Sequence, residues 1–240
     1  MAKRPVFFVD KDNYFRQENV DFKWYPGFAK SQKLKSIHSL HQAFLKHHPK
    51  SKMLEISSAS PNLIGVQTSA FNLKVRTTHG EYTVEQLFQA GKVFKEHGNQ
   101  EELLRLSSNQ ARRQIKAINQ NDQLVSFKGF KDYFPLEPKT YFYNWIYICG
   151  LHQHKDIAQK IAQYNAFTDI YFNPVKSFNC QAQSCSIYVS LLRRGLLDEA
   201  LKNKRRFLEI VYGYTSQQAK NNKVQIPKHI QHNRQLGLFK

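Results

Sequence analysis

The chain has 240 residues and carries 36 Lys and Arg against 18 Asp and Glu, a formal net charge of +18. An excess of that size favours polyanionic partners and argues against acidic ones, because each neutralised phosphate releases condensed counterions. With 41% hydrophobic and 13% aromatic residues the chain can bury a core of its own, and no apolar run approaches the ~20 residues of a membrane-spanning helix. Cys149, Cys180 and Cys185 are odd in number and form no Cys-x-x-Cys pair, which points away from a zinc site and toward reduced thiols in the cytoplasm.

Residues 5–9 form a short apolar run that reads as an edge strand, too short for a signal peptide. Residues 21–28 crowd aromatics around the Pro26-Gly27 turn, and Lys30, Lys33 and Lys35 follow at once. Rings beside lysines can stack a base and hold its phosphate, although Trp24 and Phe28, taken singly, read better as core cover. Residues 34–48 are patterned as a helix with Leu34, Ile37, Leu40, Phe44 and Leu45 inward, and His38, His41, Lys46, His47 and His48 on a solvated basic face. Residues 52–57 alternate as a strand, 58–62 form a polar loop, and 63–66 and 71–77 read as further strands.

A turn at Gly80 then leads into the best-signalled helix, over residues 83–94. Thr83 occupies the N-cap and Gln86 completes a capping box. Val84, Leu87, Phe88 and Phe94 share its core face, while Glu85, Gln89 and Lys92 line up on the other side. Spacing alone makes that second stripe a solvated face with an ordinary Glu–Lys pair.

Residues 101–118 read as helical with a restart at Ser107-Ser108-Asn109, and 124–127 as a short strand. An aromatic-rich loop covers 129–138. It leads to a helix over 139–152 that is apolar nearly all round, the signature of a central buried helix. A short helix over 156–164, a loop over 168–178, a helix from 179 or 180 to 194 closed by Gly195, and a last helix over 197–211 complete the pattern. Beyond 215 the chain is basic and amide-rich, with Lys220, Lys223, Lys228, Arg234 and Lys240 and no acid, as in a flexible tail that touches nucleic acid. The expected architecture is α+β: a mainly helical single domain over 1–212 packed around a small sheet, with a basic tail over 213–240. Glycine patterns of dinucleotide and phosphate loops, Gly-x-Ser-x-Gly and His-Glu-x-x-His are all absent. The chemistry must therefore rest on carboxylates, amides and lysines, with no cofactor and no metal assigned.

Three segments in order carry a resemblance. They are the Ser-and-aromatic loop Gly65-Val66-Gln67-Thr68-Ser69-Ala70-Phe71-Asn72, the helix Glu85-x-x-x-Gln89-Ala90-x-Lys92 behind its Gly80 turn, and Asp169-Ile170-Tyr171-Phe172-Asn173 followed by Asn179. This order resembles the NADAR superfamily, proteins that handle ADP-ribose derivatives. Together with Trp24-Tyr25-Pro26-Gly27-Phe28 and Leu136-Glu137-Pro138-Lys139, residues up to about 212 resemble the branch of antitoxins encoded beside DarT-type DNA ADP-ribosyltransferase toxins. Gln86 stands where many members have His, and Phe172-Asn173 where Trp-Gly is common.

The resemblance implies an antitoxin that hydrolyses the N-glycosidic bond between ADP-ribose and guanine in DNA, reversing the toxin's modification in phage defence. Its partners would be ADP-ribosylated DNA, ADP-ribose as product and a cognate DarT-type toxin. Glu85 is then the first candidate for the catalytic carboxylate and Asp169 the second, although Asp169 fits a loop-capping role equally well. Lys92 would contact the ribose or form a transient Schiff base, provided burial lowers its pKa. Gln89 would orient sugar hydroxyls, Asn173, Lys176 and Asn179 would reach the diphosphate, and Trp24, Phe28, Phe71 and Phe172 would stack on a base. Ser69 and Asn72, from the first segment, complete the candidate binding set. The alternative reading is a non-catalytic antitoxin that neutralises by holding DNA or the toxin.

Overall fold

The computed structural model of the chain describes residues 1–222 and 224–227. A hairpin of β1 (Ala2–Val9) and β2 (Phe15–Phe22) begins it, paired without interruption from Ala2↔Phe22 to Val9↔Phe15. Its turn is closed by Asp10, whose Oδ1 accepts the N–H groups of Asp12 (3.0 Å) and Tyr14 (2.8 Å). The sequence pattern hides β2 because its first half is polar and only Val20 and Phe22 are buried. Next, α1 (Lys30–Leu45) buries Ile37, Leu40 and Phe44 against this hairpin. Its histidines do not all face water: His41 Nε2 meets Thr168 Oγ1 at 2.8 Å, and His48 stacks on Phe44 and bonds to Glu18 at 2.8 Å.

After β3 (Met53–Glu55) the expected strand over 63–66 is instead a short helix, α2 (Leu63–Gln67), because the Asn62 side chain caps it by accepting the Ile64 N–H at 3.0 Å. Gly65 is required there, since an added Cβ would stand 2.0 Å from the Glu55 carbonyl oxygen. The hairpin of β4 (Lys74–Thr77) and β5 (Gly80–Thr83) hands over directly to α3 (Val84–Ala90), whose Thr83–Gln86 capping box forms as read.

Helix α3 does not reach Phe94. It stops at Gly91, where a Cβ would meet the Phe142 ring at 2.6 Å, and residues Lys92–Phe94 become β6. β7 (Gly98–Asn99) and a 3-10 helix (Glu101–Arg105) follow, and α4 (Ser108–Asn121) starts at a Ser107–Gln110 capping box, at the expected restart. β8 (Leu124–Gly129) and β9 (Asp132–Phe134) make a hairpin out of what reads as an aromatic loop, with Phe130 at φ 56° in its turn.

Helix α5 (Tyr141–Gln153) is buried on nearly every side, as its composition requires. Behind it come α6 (Lys155–Ile161) and β10 (Ala166–Thr168), a strand where a loop was expected to begin. α7 (Gln181–Arg193) ends before Gly195, which has a φ of 67°. The expected last helix divides into α8 (Leu197–Leu201) and α9 (Lys204–Tyr212), since Asn203 caps a fresh start by accepting the Arg206 N–H at 3.0 Å. A further helix, α10 (Ser216–Asn221), lies beyond position 212, whereas Lys223, Lys228, Arg234 and Lys240 of the basic tail lie outside the described residues.

The fold class is α+β and mainly helical, as expected, with the strands among the described residues divided among three sheets in place of one. Their orders are β2-β1-β10-β3, β4-β5 and β7-β6-β8-β9. β10 lies antiparallel to β1 and parallel to β3, so the loop after Thr168 leaves the middle of the first sheet beside Glu55. Rings of α5 fill the centre: Phe142 stacks on Phe127 at 5.0 Å, Tyr143 meets Phe88 edge-on at 5.3 Å, and Tyr141 lies against Phe134. Among the described residues no helix is long and apolar enough to cross a membrane.

Candidate active site

One residue, Ala70, fixes the middle of the site through its backbone. Its carbonyl accepts the Glu85 N–H at 2.9 Å, which ties it to the first turn of α3. Its N–H donates to Gln181 Oε1 at 2.7 Å, and the Gln181 side chain in turn donates from Nε2 to Asp169 Oδ2 at 3.0 Å. The start of α3, the start of α7 and the loop after β10 are thereby held together, and with them Glu85 and Asp169.

Glu85 and Gln89 are buried, contrary to the solvated stripe that spacing alone suggested. Gln89 Nε2 donates to Glu85 Oε1 at 2.9 Å, and Lys92 Nζ donates to Gln89 Oε1 at 2.8 Å. Lys92 closes this chain from the first residue of β6, paired with Phe127 of β8, and its ammonium stands 5.0 Å from the Phe88 ring centre. Burial lowers the Lys92 pKa to about 8; the Glu85 carboxylate opposes the shift and Arg112 reinforces it. Arg112 reaches in from α4, pairing with Glu85 at 3.2 Å while its guanidinium lies 5.5 Å from the Phe71 ring.

Asp169 Oδ1 accepts the Tyr171 N–H at 3.0 Å, and its other oxygen takes the Gln181 amide. Burial raises its pKa, and the nearby Glu55 carboxylate adds to the rise. Glu55 itself is fully enclosed. It accepts from Ser57 Oγ (2.6 Å), Thr168 Oγ1 (2.6 Å) and the Ile170 N–H (2.8 Å), while burial raises its pKa as well. Two carboxylates so placed resist being charged together, which favours a proton on the pair at neutral pH. Tyr143 lies in the field of both Glu85 and Asp169; burial, then Glu85, pushes its phenol well above the usual range.

The other expected site residues divide. Ser69 is buried and its Oγ has no partner, and Asn179 is half-buried with its Oδ1 enclosed and unpaired. Phe71 is partly exposed under Arg112. Asn173 Oδ1 accepts the Val175 N–H at 3.0 Å, and Lys176 is exposed. Trp24 sits between Arg4 and Lys33, 5.6 and 4.8 Å from its ring, whereas Phe28 is fully exposed. Phe172 packs into the core at 6.3 Å from Phe7, and the Asn72 side chain donates to the Val66 carbonyl. The central cluster is thus Glu85, Gln89, Lys92, Asp169 and Ser69.

Sequence reasoning missed Arg112, Gln181, Tyr143 and the bonding of Glu55. Two surface hollows, of about 410 Å³ beside His152 and Asp198 and about 500 Å³ beside Lys95 and Ile226, share no lining residue with the cluster. The buried charge network marks the site better than the size of a hollow does. Among the described residues no group of three or more His, Cys, Asp or Glu converges as a metal site would.

A buried Glu, an Asp whose pKa burial raises and a Lys whose pKa it lowers, linked through the Ala70 backbone, are groups of the kind that acid–base and nucleophilic chemistry uses. The chain belongs to the DarT1-associated NADAR antitoxin family, which it matches over residues 2–221. No curated protein matches it.

Proposed function

We propose that this antitoxin is an N-glycosidase that removes ADP-ribose from guanine bases in DNA and so reverses the action of a DNA ADP-ribosyltransferase toxin. The observation that carries the reading is the Glu85–Gln89–Lys92 relay, in which a lysine with its pKa lowered to about 8 is bonded through an amide to a buried carboxylate. Cleavage breaks the bond between ribose C1 and the guanine nitrogen, with water adding at C1 and a proton going to the departing base. The charge that builds on the ribose needs a nearby carboxylate, and Glu85, paired with Arg112, supplies it. Asp169, held toward its protonated form, is the donor to the leaving base. As the alternative to direct attack by water, Lys92, partly neutral near pH 8, can bond to C1 as the base leaves, the ring opening to an imine whose hydrolysis brings in the same one water and restores the amine. The unpaired Asn179 Oδ1 can accept from a sugar hydroxyl, and the Ser69 hydroxyl can donate to the sugar or the diphosphate.

The basic chain fits a substrate that is anionic both in its DNA backbone and in its pyrophosphate. Substituting Glu85→Gln should retain DNA binding and abolish turnover. Protection against the toxin that survives Glu85→Gln combined with Lys92→Met would instead support neutralisation by holding DNA or toxin.

A further inference from the structure

Outside the relay, the loops that flank Asp169 carry cations and rings in alternation. Lys33 Nζ stands 4.8 Å from the Trp24 ring and 5.8 Å from the Tyr171 ring, so one ammonium is shared between two aromatic faces. Arg4 lies over the same Trp24 at 5.6 Å, and its Nε is enclosed without a partner. Lys23 is 5.1 Å from Tyr25, and Lys139 is 4.0 Å from Phe178. Tyr171, Val175, Phe178 and Phe28 are exposed large apolar side chains, although core residues of their type are ordinarily covered. Tyr171 is bonded through its N–H to Asp169 at 3.0 Å, so this face begins at the candidate site itself.

We infer that the face formed by Arg4, Trp24, Lys33 and Tyr171 is the docking surface for the single strand of DNA that flanks the modified guanine. This rests on the glycosidase reading and extends it, by making the substrate a polynucleotide in preference to a free nucleotide. A phosphate bound at Lys33 has a ring on either side of it, the arrangement that lets successive bases stack while the backbone is neutralised between them. Tyr171 is open to solvent and Trp24 half-buried, and they come from separate loops, at 24–28 and 171–178, which suits an extended strand over a single enclosed nucleotide. A net charge of +18 supplies the complementary field. Stacking reads every base, so the surface is tolerant of sequence. A paired duplex hides the base faces that the rings need.

The test uses the full chain, a short unmodified fluorescent oligonucleotide as single strand and as duplex, and the variants Lys33→Ala and Tyr171→Ala, with matched thermal melts as the folding control. Wild type is expected to bind the single strand more tightly than the duplex. Each variant should lose about tenfold in single-strand affinity, and Lys33→Ala should lower the salt slope by about 0.7. Release of ADP-ribose from a modified oligonucleotide should show a raised KM in both variants, with release from the modified mononucleotide unchanged. Single-strand affinity that is unaltered in both variants, or a duplex bound equally well, overturns the docking surface. If wild type releases ADP-ribose from neither substrate, the glycosidase reading fails, and the binding comparison still decides the surface.

Discussion

Replacing Lys92 by Met should make the protein more stable at neutral pH while removing its activity. The ammonium is disfavoured in the folded state, where its pKa falls from 10.5 to about 8. At about 1.4 kcal/mol per pH unit, that difference is a cost to folding of about 3 kcal/mol. Below pH 8 the amine is protonated both folded and unfolded, so the whole cost is present. Between pH 8 and 10.5 the folded amine is neutral while the unfolded one still binds a proton, so stability rises with pH and the cost fades. Methionine keeps the stem against Phe88 but loses the 2.8 Å bond to Gln89, worth about 1 kcal/mol. Discounting further for partial exposure, Lys92→Met should gain about 1–2 kcal/mol at pH 7 and nothing, or a slight loss, at pH 10. Urea unfolding of both proteins at the two pH values measures this. A variant less stable than wild type at pH 7, or a difference that is the same at both pH values, would refute the buried-ammonium reasoning.

Removing the Arg112 guanidinium, which lowers the Lys92 pKa, should move the limb of the pH–rate profile set by Lys92 to higher pH in Arg112→Met; an unmoved limb would separate the two groups. Asp169→Asn should raise stability at neutral and alkaline pH and leave it unchanged in acid: with the folded pKa raised from 3.8 to about 8, the carboxyl costs stability once the unfolded chain ionises, a cost that grows above pH 3.8 and is complete above about 8. The same variant should lose turnover, and a rate equal to wild type would remove Asp169 as proton donor. Gln181→Leu leaves the Ala70 N–H and Asp169 without their partner and should cost about 2 kcal/mol in chemical unfolding; a neutral result would contradict the bridging role. Gly91→Ala forces a methyl against Phe142 and the Lys128 carbonyl and should cost about 1–3 kcal/mol, read as a lowered Tm.

Features that were legible in the sequence are those decided within a few residues. The Thr83–Gln86 box and the Ser107–Gln110 restart needed only local side chains, and the buried α5 followed from its composition. What was hidden depends on distant partners. Lys92 reads as helical by periodicity, yet pairing with Phe127 makes it a strand residue, and the same pairing folds it back toward Gln89. The burial of Glu85 and Gln89 has no local signal either, since α4 and the Ala70 loop cover them from elsewhere in the chain. Arg112 looks like any outward arginine on a basic helix, and Gln181 like any first-turn amide. Only the approach of α4 and α7 to α3 gives them their work. The bonding of Glu55 has no local signal, because the loop that encloses it arrives more than a hundred residues later. The candidate carboxylates and lysine were therefore readable from the family-like motifs, while the groups that tune them were not.

The most direct measurement is mass spectrometry of an oligonucleotide carrying a single ADP-ribosylated guanine, before and after incubation with the purified protein. The glycosidase account predicts an oligonucleotide restored to the mass of unmodified DNA and one free ADP-ribose for each guanine repaired, with neither product from Glu85→Gln. An oligonucleotide that stays modified under wild-type protein, or is repaired as fast by Glu85→Gln, would contradict it.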